Sequence, residues 1–260
     1  MRAPKALILR APGINRDKDA AFACELAGAT PERIHVNQLA SGTVQLADYA
    51  LLIIPGGFSY GDHLGAGKLL AVDLAHRLGE PLQRFVADGR PVIGICNGFQ
   101  VLIKAGLLPG WDADPAPAVT LTDNASGRFE CRWVRLAAEP GCPCPFTDGL
   151  GQTIEVPVAH GEGRVAVRDQ ATLAALRSRG LIALRYTADA GPVAYPANPN
   201  GSCDAIAGLC NPQGNVLGLM PHPENAILPQ QHPRWTREPW RESGDGLALF
   251  RNAVRYAAAL

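Results

Sequence analysis

The sequence predicts a doubly wound α/β fold: a mostly parallel sheet with helices on both faces and a small β-rich insertion. Two observations carry this. Short apolar runs such as 49–54 (YALLII) and 91–95 (PVIGI) lack polar alternation, as strands buried on both faces do. Stretches with helical periodicity lie between them, so strand and helix alternate as in a parallel sheet. A third observation sets the scale. The 260 residues contain no internal repeat and no long linker, so one domain over 1–260 is expected.

The elements follow in order. Residues 5–10 (KALILR) read as a buried strand, followed by turn residues Pro12-Gly13 and Asn15-Arg16-Asp17. Asp17 is expected to cap a helix running to about Ala27. Residues 33–36 form a short strand, and 49–54 a fully apolar one ended by Pro55-Gly56-Gly57. Helical patterning covers 62–78 and 81–87, then comes the strand 91–95 and a helix from about 98 to 105. The stretch 111–151 is rich in Pro, Asp and Gly, with β-like segments at 118–122 and 132–136. A strand at 153–158, a helix at 169–179 and strands at 181–186, 205–209 and 215–219 complete the sheet. Three Pro and two Trp make 229–244 a long irregular loop, and 246–258 has the pattern of a closing amphipathic helix.

Composition narrows the function. Lys+Arg is 24 and Asp+Glu is 24, so a zero net charge gives no electrostatic reason to expect nucleic acid or an anionic membrane. Seven cysteines cannot all pair, so at least one thiol is expected free. The four apolar residues at 6–9 are too few for a signal peptide, and no apolar run nears the ~20 residues of a membrane span. A reducing cytoplasm is the expected location.

The strongest motif is Gly94-Ile95-Cys96-Asn97-Gly98, between an apolar strand and a helix. This is the geometry of a nucleophile elbow, in which small residues two before and two after let strand and helix pack closely. A thiol there sits at a helix N-terminus, which favours its anion. The bland alternative is a buried cysteine in a glycine-rich turn. The segment Ile54-Pro55-Gly56-Gly57-Phe58-Ser59 ends another buried strand, at the sheet edge where α/β ligands bind. N–H groups at Gly57 or Phe58 could complete an oxyanion hole with that of Asn97.

A thiol nucleophile needs a base and the base an orienting acceptor. Met220-Pro221-His222-Pro223-Glu224 supplies both after an apolar strand. His160-Gly161-Glu162-Gly163 is its rival, another His-x-Glu after a strand. A zinc deaminase would need Pro-Cys-x-x-Cys after the His-x-Glu; Cys142-Pro143-Cys144 has the wrong spacing and precedes both, so no metal site is expected. Residues 61–68 (GDHLGAGK) imitate a P-loop, but the glycine spacing fails and Leu69 stands where Ser or Thr is required.

Taken together these motifs resemble the class I (triad) glutamine amidotransferases, which have a flavodoxin-like fold, and among them the glutaminase subunits of phosphoribosylformylglycinamidine synthases. The resemblance rests on Pro12-Gly13-Ile14-Asn15 with Asp17, on 55–62 (PGGFSYGD), 94–100 (GICNGFQ), 124–130 (NASGRFE), 160–163 (HGEG), 198–202 (NPNGS) and 206–224. It implies that Cys96 attacks the glutamine amide, that His222 is base and then acid, and that Glu224 orients His222. It also implies that Gly57 and Asn97 stabilise the oxyanion, and that Phe58, Gln100, His160 and Gly161 contact glutamine. Ammonia would pass to a synthetase large subunit, with ATP and Mg held there and no cofactor in this chain. The residues 229–240 (PQQHPRWTREPW) and 62–68 look more like the single-chain form of the synthase, which leaves open a small accessory subunit. Trp235 and Trp240 suggest that this loop docks the synthetase. Two other readings are a different cysteine hydrolase or stress-response protein on a similar fold, and a non-catalytic regulatory subunit. The presence of Met220–Glu224 after the late strand argues against the first, and the intact Cys96, His222 and Glu224 count against the second. If His222 acts as a neutral base, activity should fall as pH drops through about 6.5.

Overall fold

A computed structural model describes residues 3–111, 118–151 and 153–260. Met1 and Arg2, and residues 112–117 of the Pro- and Asp-rich stretch, lie outside the described residues. The first half runs β1 (Lys5–Arg10), α1 (Asp17–Leu26), β2 (Thr30–His35), α2 (Val36–Ala40), β3 (Leu51–Ile54), α3 (Lys68–Arg77), α4 (Gly79–Ala87), β4 (Val92–Ile95) and α5 (Asn97–Lys104). The second runs β5 (Val119–Thr122), β6 (Glu130–Ala138), β7 (Ile154–His160), β8 (Arg164–Val167), α6 (Gln170–Ser178), β9 (Ile182–Thr187), β10 (Ile206–Cys210), β11 (Val216–Leu219) and α7 (Leu247–Ala259).

Nine strands form one sheet in the order β2-β1-β3-β4-β11-β10-β9-β6-β7. The pairings from β2 through β11 are parallel, and those from β11 through β7 are antiparallel. The β-rich insertion therefore continues the main sheet, and β5 and β8 form a separate two-stranded ribbon. Strands β3 (LLII) and β4 (VIGI) are buried at every residue, which is why their sequences show no alternation. Helices α1 and α7 pack together against β1 and β3, while α3 packs on α5 and α5 on β4 and β11. One continuous apolar cluster fills the space between.

Register places the site. Ile54 pairs with Gly94, and Leu219 with Ile95, so the carboxyl ends of β3, β4 and β11 stand side by side. The turns that follow them carry Gly57, Cys96 and His222. The far edge strand β7 returns to the same place: Pro157 O accepts the His222 N–H at 2.8 Å.

Four expectations are corrected. Asp17 is the first helical residue and not the cap; its carboxylate meets Arg10 and Arg33, each at 3.1 Å, so strand cations claim it. The helix expected from 62 begins at Lys68, because Asp62 and Leu64 (φ 54° and 62°) and Gly61, Gly65 and Gly67 wind 61–67 through left-handed turns. Strand β2 covers 30–35 rather than 33–36, and Val36 already belongs to α2. Strand β7 runs on to His160, and β8 was not anticipated. The loop at 229–244 is irregular, as expected, and is held by charge pairs among His232, Arg234, Glu238, Arg241 and Asp245, anchored on Glu155. No disulfide joins the seven cysteines, and no helix among the described residues is long and apolar enough to cross a membrane.

Candidate active site

Cys96 occupies the turn between β4 and α5 with φ 52° and ψ −106°, a conformation that costs on the order of 1–3 kcal/mol for a residue with a Cβ. The flanking glycines make the turn possible. A Cβ at Gly98 would fall 1.9 Å from Ile54 O, and one at Gly94 would fall 2.6 Å from Gly98 O. Strand and helix therefore touch backbone to backbone. The thiol is nearly covered, and Sγ lies 3.7 Å from the carbonyl of Ala159 at the end of β7.

His222 arrives from the turn after β11. Its Nδ1 lies 2.6 Å from Glu224 Oε1, and both residues are buried. Gly56 leaves the room in which imidazole and thiol meet: a Cβ there would sit 2.9 Å from His222 Cε1 and 3.5 Å from Cys96 Cβ. Burial opposes charge on His222, but the Glu224 charge and the adjacent Cys96 outweigh it and hold the imidazole well above its ordinary pKa. His222 Nε2 is buried without a hydrogen-bond partner among the described residues.

The two candidate oxyanion donors at the PGG turn separate. Phe58 N–H donates to Gly13 O at 2.9 Å and is committed, whereas neither Gly57 N–H nor Asn97 N–H has an acceptor among the described residues. Gly57 adopts φ 148°, and a Cβ there would collide with Gly13 O at 2.5 Å. The Asn97 side chain joins this turn to the elbow. Its oxygen accepts from Ser59 N at 3.1 Å, and its nitrogen donates to Asp62 Oδ1 at 3.1 Å and Gln100 Oε1 at 2.9 Å. Gln100 in turn donates to Glu162 O at 2.6 Å. Its amide is thus already engaged with protein groups.

A cavity of about 590 Å³ opens at this edge, with Gly57, Phe58, Cys96, Gln100, His160, Gly161 and His222 in its wall. Glu224 stands behind His222. The sequence left two histidines as candidate bases, and the structure pairs only one with a carboxylate. His160 Nδ1 meets Asn124 Oδ1 at 3.1 Å, and burial, with the His222 charge, pushes its pKa down to about 4. A buried thiol, a carboxylate-paired imidazole and two free N–H groups make a site suited to acyl transfer.

The CobB/CobQ-like glutamine amidotransferase domain family matches residues 3–257. The chain belongs to the glutamine amidotransferase family. It is 46% identical to "Phosphoribosylformylglycinamidine synthase subunit PurQ" of Dehalococcoides mccartyi over 97% of both chains. It is 49% identical to the protein of the same name from Treponema denticola, over 86% of this chain and 89% of that one. The solved structure "PurLQS from Thermotoga maritima" contains a chain 34% identical to it, with TM-score 0.73, covering 98% of this chain and 99% of that one. A match over 97% of both chains takes in residues beyond Glu224, so the Dehalococcoides relative also continues past that point.

Several residues of this glutamine amidotransferase site were not singled out from sequence. Asn124 enters the sequence reading only within the NASGRFE stretch, Asp62 only within the PGGFSYGD stretch, the helical pattern and the false P-loop, and Ala159 not at all. Arg16 and Arg128 also line the cavity. No spacing rule links them, because they arrive from separate parts of the chain: the turn before α1, the loop after β3, the turn at 124–128 and the end of β7.

Proposed function

We propose that this chain hydrolyses glutamine to glutamate and ammonia and delivers the ammonia to a synthetase subunit. That subunit converts formylglycinamide ribonucleotide to formylglycinamidine ribonucleotide in purine biosynthesis. The observation that carries the reading is the meeting of Cys96 and His222 in the wall of one cavity that Gly57 also lines, with Glu224 behind His222 and Asn97 next to Cys96. Its likeness to the PurQ relatives supplies the pathway.

The thiolate of Cys96 adds to the carboxamide carbon, and the developing oxyanion is met by the Gly57 and Asn97 N–H groups. His222, protonated and steadied by Glu224, gives its Nε2 proton to the departing nitrogen, so ammonia leaves and a γ-glutamyl thioester remains. Water then attacks the thioester. His222 takes its proton, and glutamate and Cys96 are released.

In this reading residues 1–260 act as one glutamine amidotransferase domain in the cytoplasm, with no cofactor of their own. ATP and Mg are used on the synthetase subunit. The loop at 229–244 supports docking there: Trp235 and Trp240 are 44% and 65% exposed on a segment stiffened by charge pairs. An accessory subunit would complete the assembly if the synthetase needs one.

The deciding assay is glutamate and ammonia release from glutamine by wild type and Cys96→Ala, each with the synthetase subunit. Release that depends on Cys96 is expected. Its absence from the wild-type complex would end the reading.

A further inference from the structure

His160 carries a buried polar atom that the mechanism above leaves unused. It ends β7, is 3% exposed, and stands in the wall of the cavity. Its tautomer can be read from Asn124. The Asn124 nitrogen donates to the carbonyls of Arg128 and His160, both at 2.8 Å, so Oδ1 is the accepting end of the amide. That oxygen also accepts the Gly163 N–H at 3.0 Å and lies 3.1 Å from His160 Nδ1. An acceptor opposite Nδ1 makes Nδ1 the protonated nitrogen. Nε2 then presents a lone pair, and it has no partner among the described residues.

The ring is also held in place. A Cβ at Gly163 would fall 2.5 Å from His160 Nδ1 and 2.6 Å from Cε1, so the imidazole lies flat on bare backbone. With its pKa pushed down to about 4 by burial and by the His222 charge, the ring is neutral near neutral pH. Its place in the chain selects what it meets. The preceding residue, Ala159, turns its carbonyl to Cys96 Sγ at 3.7 Å, and His160 lines the same cavity as Cys96 and His222 and feels the His222 charge, so it borders the reacting end.

We propose that His160 Nε2 accepts a hydrogen bond from the carboxamide –NH2 of glutamine and thereby separates substrate from product. The proposal rests on the reading of the cavity as a glutamine site. A carboxamide has N–H groups to offer a lone pair, whereas the carboxylate of glutamate has none and turns its own lone pairs toward it. Sites that discriminate by such unmatched polar groups do so strongly. The same contact that favours glutamine disfavours the glutamate left after hydrolysis, which makes His160 a specificity-determining residue and assigns it no proton transfer.

The test uses the full chain with its synthetase subunit in a Cys96→Ala background, where no thioester can form. Glutamine and glutamate are each titrated by calorimetry. Adding His160→Phe is expected to raise the glutamine Kd about tenfold to hundredfold, the range for an unmatched polar contact, with glutamate unchanged or tighter. His160→Gln, whose amide can donate to Asn124 and keep an oxygen toward the cavity, is expected to restore most of the loss. Equal weakening of both ligands would assign Nε2 to the α-ammonium group, which both carry, and overturn the proposal; so would no change in either. If Cys96→Ala alone binds no glutamine, the glutamine reading falls and the proposal with it. Imidazole ¹⁵N spectra of the ligand-free chain give a second readout. Protonated Nδ1 and bare Nε2 on His160 are expected, and a protonated Nε2 overturns the assignment.

Discussion

His222 Nδ1 and Glu224 Oε1 lie 2.6 Å apart with one proline between their residues, both nearly without solvent contact. Pro223 fixes its own φ, and the short 3₁₀ turn it begins folds the carboxylate back onto the imidazole. The other Glu224 oxygen has no partner among the described residues, so the carboxylate serves this one bond. Replacing Glu224 by Gln keeps the shape and removes the charge. A fall in kcat of about 10²–10⁴-fold is expected with KM little changed, by the role an orienting carboxylate plays in a triad. Initial rates of ammonia release measure it, and a kcat near wild type would remove Glu224 from the mechanism.

The raised pKa of His222 reverses the pH behaviour expected from an unperturbed histidine. Burial works against the charged ring, and the Glu224 carboxylate and Cys96 more than compensate, so the imidazolium is favoured over a wider pH range than in an unperturbed histidine. Activity that uses this proton is lost as pH rises through the raised pKa, not as pH falls through about 6.5. The stability contribution has the same sign: it is complete below the unfolded pKa and lost as pH rises through the folded one. Glu224→Gln should move the alkaline limb of the kcat profile to lower pH. A limb at the same pH in both proteins would show that His222 is not its source.

Two glycines at the site should fail in different ways. Gly56→Ala places a methyl 2.9 Å from His222 Cε1, and the side chain that yields is His222 itself. A kcat loss of about 100-fold with a nearly unchanged Tm is expected, since a displacement near 1 Å is enough. Gly98→Ala drives a methyl to 1.9 Å from Ile54 O, where only backbone can yield. Its expected effect is a stability loss of about 1–3 kcal/mol, read by urea denaturation. Equal effects from both changes would contradict the distinction.

Glu155 should govern acid stability of the loop at 229–244. Burial raises its pKa, but hydrogen bonds from His232, Arg135 and Arg234 prevail and bring it down to about 2. A depressed carboxylate stabilises the fold above its unfolded pKa, here about 4.5, and this is lost as pH falls toward about 2. Denaturation midpoints of Glu155→Gln should lie below wild type at pH 6 and converge with it near pH 2. Trypsin should also cut at Arg234 faster in the variant, and parallel pH curves for the two proteins would refute the assignment.

Trp235→Ala with Trp240→Ala should weaken association with the synthetase subunit while leaving the Tm unchanged. Deleting Gln230–Glu238 would be a poorer experiment, because it strips His232 and Arg234 from Glu155. Gel filtration of the mixed subunits decides, and an unaltered complex would place the docking surface elsewhere.

Much of the parallel half was legible because its strands are buried on both faces, and such burial writes itself as uninterrupted apolar sequence. The helix expected at 62–78 shows where periodicity misleads. Residues 61–67 offer only Leu64 and Ala66 as apolar side chains, two positions apart, so the helical pattern of the residues that follow does not reach back to 62, and Asp62 is tied instead to the elbow by Asn97 Nδ2, which donates to its Oδ1 at 3.1 Å. Asp17 misled for a related reason. Its type suits a cap, but cations on neighbouring strands made a better offer than its own helix N-terminus.

By itself the sequence determined the alternation of strand and helix, the cysteine in its glycine-flanked turn, and the two His-x-Glu segments that compete to serve it. Both of those segments follow strands, so local chemistry could not rank them. The sheet order decided. It sets β11 directly beside β4, which delivers His222 to Cys96 with Glu224 behind it, and it returns the far edge strand β7 so that His160 reaches the same cavity facing Asn124. The two rings part because of what lies beside each: Glu224, two residues on, and Cys96, from another strand end, favour charge on His222, whereas burial beside Asn124 and His222 opposes it on His160. Of these neighbours only Glu224 is local in the chain, and the folded arrangement brings the others.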